Sequence, residues 1–115
     1  MTDIDTVQER LDQARDHLAA AARVLTVDTP GPAELHAAVD GAMRMSTALG
    51  EFVATVMRQA PATLDHTNST VLNELLADLR AMHGCLTTGE RLLAPARDDL
   101  HELVASQDGG PVPTG

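Results

Sequence analysis

The stretch that decides the fold spans residues 72–104 and reads LNELLADLRAMHGCLTTGERLLAPARDDLHELV. Apolar or small side chains recur in it at alternating steps of three and four residues, from Leu72 to Leu103. This spacing places them along one face of a helix, because an α-helix turns once every 3.6 residues. It is also the heptad spacing through which neighbouring helices pack side by side. The stretch therefore predicts a long amphipathic helix, which we expect to begin within residues 64–69.

Two features interrupt this third helix. Pro95 has no N–H to donate to the carbonyl of Arg91, so a kink is expected there. Thr87 and Glu90 have the spacing of a capping box, which would begin a new helix after a break near residues 84–88. Because the heptad phase is unbroken, one bent helix is favoured, and a split that gives four helices is the alternative.

The preceding helix begins at a helix-breaking segment, Thr-Pro-Gly-Pro at residues 29–32. Gly31 fits the N-cap position and Pro32 the first helical position, where a missing N–H costs nothing. Pro61 is expected to end this second helix. Gly41 and Gly50 lie beside its apolar stripe, so we expect a neighbouring helix to approach closely there. The stripe predicted to face the core comprises Leu35, Val39, Ala42, Ser46, Leu49, Val53, Val56 and Ala60.

The first helix is predicted over residues 3–27, again from a heptad repeat. The repeat comprises Ile4, Val7, Leu11, Ala14, Leu18, Ala21 and Leu25. Three such helices with short linkers predict an all-α fold, an antiparallel three-helix up-down-up bundle. We expect one helical domain over residues 1–105 and a disordered polar tail over residues 106–115.

Composition excludes several classes of protein. The 115 residues include one Phe and no Trp or Tyr, which disfavours a β-sheet. The net charge of −9 disfavours nucleic acid and anionic membranes as direct partners. No apolar run is long enough to span a membrane, and the acidic N-terminus is unlike a signal peptide. Because every basic residue is Arg, we expect a GC-rich bacterial source and a cytoplasmic location.

No metal or cofactor site is predicted. The chain lacks the Glu-x-x-His motif of di-metal helical bundles. His36 and Asp40 share a helical face, as do His83 and Glu90, but neither pair has a second half with matching spacing. We interpret all five histidines as surface or boundary residues.

No catalytic residue is predicted either, so we expect that the protein is not an enzyme. Cys85 and His83 are two positions apart on a helix and point away from each other, so this histidine cannot activate that thiol. Cys85 is expected to be half-buried and inert. Glu74 and Asp78 lie opposite the apolar seam, which predicts a solvated face.

These exclusions leave a long apolar heptad as the main functional signal. It favours a small non-enzymatic interaction module that associates helix-to-helix with itself or a protein partner. Helix 3 is expected to overhang helix 2 by about ten residues, about 15 Å. A homodimer interface is therefore predicted at Leu100, Leu103 and Val104. The alternative is a bundle that binds an apolar small molecule between its helices, beside small residues: Ala14, Ala21, Ala42, Gly89 and Ala96.

Overall fold

The structure, a computed structural model, describes residues 4–64 and 66–108, and most of them lie in helices. Helix α1 spans Ile4–Val27, α2 spans Pro32–Thr63 and α3 spans Ser69–Asp108, with a 3₁₀ turn at His66–Asn68. These ranges contain no strand, which confirms the all-α class. Within them, no helix has an apolar segment of membrane-spanning length.

The ends of α1 and α2 follow the local signals in the sequence. α1 ends at Val27, as predicted, and α2 begins at Pro32, the predicted first helical residue. Pro61 does not end α2, because the helix continues to Thr63. A proline removes only its own N–H bond, and the Leu64 N–H still donates to the Ala60 carbonyl at 2.9 Å. The last turn therefore closes around Pro61.

Helix α3 is continuous, so the predicted alternative of a split near residues 84–88 is not seen. The Thr87 hydroxyl donates to the carbonyl of His83 at 3.0 Å, a bond typical of a threonine inside a helix. The capping-box spacing at Thr87 is therefore coincidental. Pro95 also lies inside α3. Residues 106–108 are helical, so α3 extends beyond the predicted boundary at 105, and residues 109–115 of the predicted tail lie outside the described residues.

Helices α2 and α3 pack as an antiparallel hairpin. The Ser46 hydroxyl donates to the Leu86 carbonyl at 3.4 Å, and the Arg97 guanidinium lies 3.8 Å from the Asp40 carboxylate. Earlier residues of α2 thus meet later residues of α3, which makes the two helices antiparallel. Among the described apolar residues, those buried in the hairpin are few and all belong to α2: Met43, Val53 and Ala60.

The two glycines of α2 differ in their surroundings. Gly50 is buried, and a Cβ atom there would lie 3.8 Å from the His83 ring, an ordinary contact distance. At Gly41 a Cβ atom would meet no atom within 4 Å. Within the hairpin, the predicted close approach of a helix is therefore not seen at Gly41. Gly50 does lie where the helices meet, although the space there would accept a methyl group.

The chain divides into two compact units, Met1–Gly31 and Pro32–Gly115. The first contains α1, and the second contains the α2–α3 hairpin. The single domain and the three-helix bundle remain predictions.

Candidate interaction site

Helix α2 carries a second apolar stripe beside the one that packs on α3. The buried residues Met43, Gly50 and Val53 face α3, whereas Leu49 and Phe52 are 39% and 40% exposed. Leu49 precedes Gly50 by one residue, so it lies about 100° around the helix from the packed side. The predicted core stripe is therefore wrong at Leu49, and Leu35 and Ala42 of that stripe are exposed as well. The sequence contains two adjacent apolar faces, and the hairpin buries only one.

Helix α3 carries a matching exposed stripe. Met82 precedes His83 by one residue, as Leu49 precedes Gly50, and His83 lies against Gly50. Because the helices are antiparallel, the same angular offset in both places Leu49 and Met82 on the same side of the hairpin. We call this side the apolar face; its exposed members include Met45, Leu49, Phe52, Val71, Met82, Leu93 and Leu103.

Helix α1 also presents its heptad stripe as exposed side chains. Leu18, at the middle of the stripe, is 55% exposed, and Val7, Leu11 and Leu25 are exposed as well. The opposite face of α1 is charged and includes an ion pair in which Arg15 lies 3.7 Å from Asp12. The helix is therefore amphipathic and carries an apolar stripe of the kind that packs on other helices.

The residues predicted as an interface lie at the far end of α3. Leu100 and Val104 are half-buried, and Leu103 is 46% exposed. The overhang predicted for this end is smaller than about ten residues, because the His101 ring lies 5.5 Å from that of His36, near the start of α2. Helix α3 therefore runs alongside α2 almost to the end of α3. Self-association through these three residues stays a prediction.

Ion pairs join the two helices near this end of the hairpin. The Asp40 carboxylate lies 2.6 Å from the Arg44 guanidinium on its own helix and 3.8 Å from that of Arg97 on α3. Asp40, which the sequence pairs with His36, is therefore bound by arginines. The cluster links the helices by charge.

The described residues provide no metal centre. Within residues 4–64 and 66–108, no group of three or more His, Cys, Asp or Glu side chains could hold a metal ion. Cys85 is a free thiol and is exposed, where the sequence predicted a half-buried one. Glu74 and Asp78 are exposed, as the apolar spacing of α3 predicts.

A groove between α2 and α3 combines positive charge with an apolar floor. We call it the cationic groove; it has a volume of about 400 Å³ and is lined by Ala54, Met57, Arg58, Leu76, Arg80 and His83. Arg58 donates to the Thr55 hydroxyl at 3.0 Å, and neither arginine of the groove has an ion pair within the described part of the chain.

The sequence alone did not single out the two arginines of this groove. Helical spacing places Arg80 and His83 on one face of α3, and Ala54 and Arg58 on one face of α2. It does not show that these two faces meet. Their convergence depends on the register between the two helices. That register is set by contacts distant in sequence, such as the one between Ser46 and Leu86.

Comparison with protein-family models, with curated proteins and with solved structures finds no match for this chain. The features that bear on its function are the apolar face and the cationic groove of the hairpin, together with the exposed apolar stripe of α1.

Proposed function

We propose that this chain is a small acidic, non-enzymatic helical interaction module, an adaptor or accessory subunit that associates helix-to-helix with itself or a protein partner. The apolar face of the hairpin carries the proposal. Leu49 and Phe52 lie in the middle of α2 and expose about two fifths of their surface each. A contiguous apolar stripe of this kind marks a surface that packs on another helix.

The small buried core of the hairpin supports the same conclusion. Helices in water gain most of their stability from packing an apolar face, not from intrinsic propensity. In the described ranges the buried apolar side chains are limited to Met43, Val53 and Ala60. Covering each exposed side chain of the apolar face would contribute about 1 kcal/mol, before the entropy of association is subtracted. Association therefore supplies burial that the hairpin lacks.

A homodimer is the form of association that we propose first. Two copies present identical apolar faces, and a two-fold axis places the apolar face of one copy against the same face of the other. Because Leu103 belongs to the apolar face, that face reaches the predicted interface of Leu100, Leu103 and Val104. The exposed stripe of α1 is a further apolar surface, and an up-down-up bundle, in which α1 packs on the hairpin of its own chain, is the alternative way to cover the apolar face. A cytoplasmic location in a bacterium, expected from the composition, completes the proposal.

The test compares two matched double variants by light scattering with refractive-index detection, since a chain without Trp or Tyr barely absorbs at 280 nm. Leu49→Asp with Phe52→Asp places two charges in the apolar face and should convert a dimer to a folded monomer. Ala62→Asp with Ala77→Asp adds the same charge at exposed positions, about 80° around their helices from Phe52 and Leu103 respectively. This control should stay dimeric.

A second pair tests the predicted end of α3. Leu100→Asp with Leu103→Asp should also give a folded monomer, with helicity checked by circular dichroism. If the wild type is monomeric at about 100 μM and this double variant unfolds, the two leucines belong to the core of one chain. That result would contradict the interface assignment.

A further inference from the structure

We propose that the cationic groove binds a small amphipathic anion: a carboxylate or phosphate head group on a short apolar body. The site goes beyond helix-to-helix association. It lies on the other side of the hairpin, because Arg58 follows Leu49 by nine residues, which is about 180° around α2. Ligand binding and association therefore use separate surfaces.

The head group is assigned from the charges at the groove. Arg58 on α2 and Arg80 on α3 both line it, and neither has an ion pair in the described ranges. No acidic side chain lines the groove, although the chain carries 17 acidic residues. Two guanidinium groups without a counterion form a site for a carboxylate or phosphate, which they bind through charge-assisted hydrogen bonds.

The apolar body is assigned from the floor of the groove. Met57 and Leu76 are half-buried and approach from opposite helices, with Ala54 leaving space beside them. The volume of about 400 Å³ lies within the range of small-molecule sites. The floor suits a short alkyl chain, and the unbranched, polarizable Met57 side chain can adapt to it.

The net charge decides between a small anion and an acidic polymer. With a formal charge of −9, the chain repels a polyanion along its whole surface. A small anion seated between two arginines is affected mainly by its neighbours, because exposed charges beyond about 8 Å are screened at physiological salt. The groove therefore favours a small anion over nucleic acid, an acidic peptide or an anionic lipid bilayer.

Titration calorimetry on the full chain with octanoate and octyl phosphate tests this site. Both ligands should bind with a Kd of about 1 mM or tighter. Acetate keeps the charge but lacks the chain, and octylammonium keeps the chain but reverses the charge, so both should bind at least about tenfold more weakly. Vesicles of anionic phospholipid should not bind. The methyl NMR signals of Met57 and Leu76 should shift with octanoate.

Matched variants separate the site from general apolar binding. Arg58→Gln with Arg80→Gln should weaken octanoate binding at least about tenfold. Arg23→Gln with Arg91→Gln removes the same charge from exposed arginines without ion pairs outside the groove, and should leave binding within about twofold. Circular dichroism checks that both variants remain folded.

The proposal would be overturned by no octanoate binding at millimolar concentration, by equal binding of octylammonium, or by an unchanged affinity in Arg58→Gln with Arg80→Gln. Methyl shifts confined to the apolar face, at residues such as Leu49 and Met82, would also contradict it. The mass of the protein is measured in parallel. A monomeric wild type that still binds octanoate would reject helix-to-helix association and leave the groove proposal intact. A dimeric wild type that does not bind octanoate would reject the groove proposal and leave association intact.

Discussion

Gly41 lies in the interior of α2, where a Cβ atom would meet no other atom within 4 Å. Glycine in a helix costs up to about 1 kcal/mol relative to alanine, because its backbone is freer in the unfolded chain. Gly41→Ala should therefore raise the free energy of unfolding by about 0.5–1 kcal/mol, measured by urea unfolding followed by circular dichroism. Gly84→Ala, with the same open surroundings, is a matched comparison. A loss of stability in Gly41→Ala would mean that another helix packs on this position.

Asp40 joins α2 to α3 through Arg97, and it also pairs with Arg44. Asp40→Asn should lower the free energy of unfolding by about 0.5–1 kcal/mol, a modest loss because these groups are partly exposed to solvent. The loss should shrink at about 1 M salt, where screening is strong. Asp98→Asn, whose ion pair joins neighbouring residues of α3, should change stability much less. Equal effects of the two substitutions would contradict a link between the helices at Asp40.

At the level of single helices, Pro95 lies inside the continuous α3. Pro95→Ala restores a hydrogen-bond donor to the Arg91 carbonyl and removes a steric clash with that turn. We expect equal or higher helicity and a gain in the free energy of unfolding of about 1–3 kcal/mol. Circular dichroism and thermal unfolding measure both quantities. A clear loss of helicity and of melting temperature would show that the fold requires a proline there.

The end of α1 and the start of α2 were predictable because the signals that set them are local, whereas Pro61 did not end α2 as predicted. Pro32 begins α2 at the predicted residue, since a proline is compatible with the first turn whatever the helix packs against. The packed face of α2 was not predictable to the same degree. Leu49 and Met43 belong to two adjacent apolar faces, and only contact with α3 decides which face is buried. The small residue Gly50 meets α3 at this point, and apolar spacing alone does not reveal that choice.

The cationic groove shows the same limit. Sequence spacing places Arg80 and His83 on one face of α3, but Arg58 is distant in sequence and reaches them only through the antiparallel register. That register depends on non-local packing around Gly50 and Ser46. The interaction role, in contrast, was suggested by the heptad spacing of apolar residues, which the sequence shows directly.

For the whole molecule, the net charge of −9 leads to a prediction about nucleic acid. The two arginines of the cationic groove are too few to offset repulsion along a polyanion. We expect no measurable DNA or RNA binding at about 150 mM salt in a fluorescence polarization assay with a labelled oligonucleotide. Binding under these conditions would contradict an acidic surface and would direct attention to the groove. Arg58→Gln with Arg80→Gln would then identify whether the groove is responsible.

The central claim is that the apolar face of the hairpin is covered by association. The most direct test is the molecular mass of the unmodified chain by light scattering, over a dilution series from about 100 μM to about 1 μM. We expect a mass near twice 12.1 kDa at the highest concentration, falling towards one chain on dilution as the association is lost. A mass of 12.1 kDa at every concentration, with cooperative unfolding and no protein partner, would contradict the account.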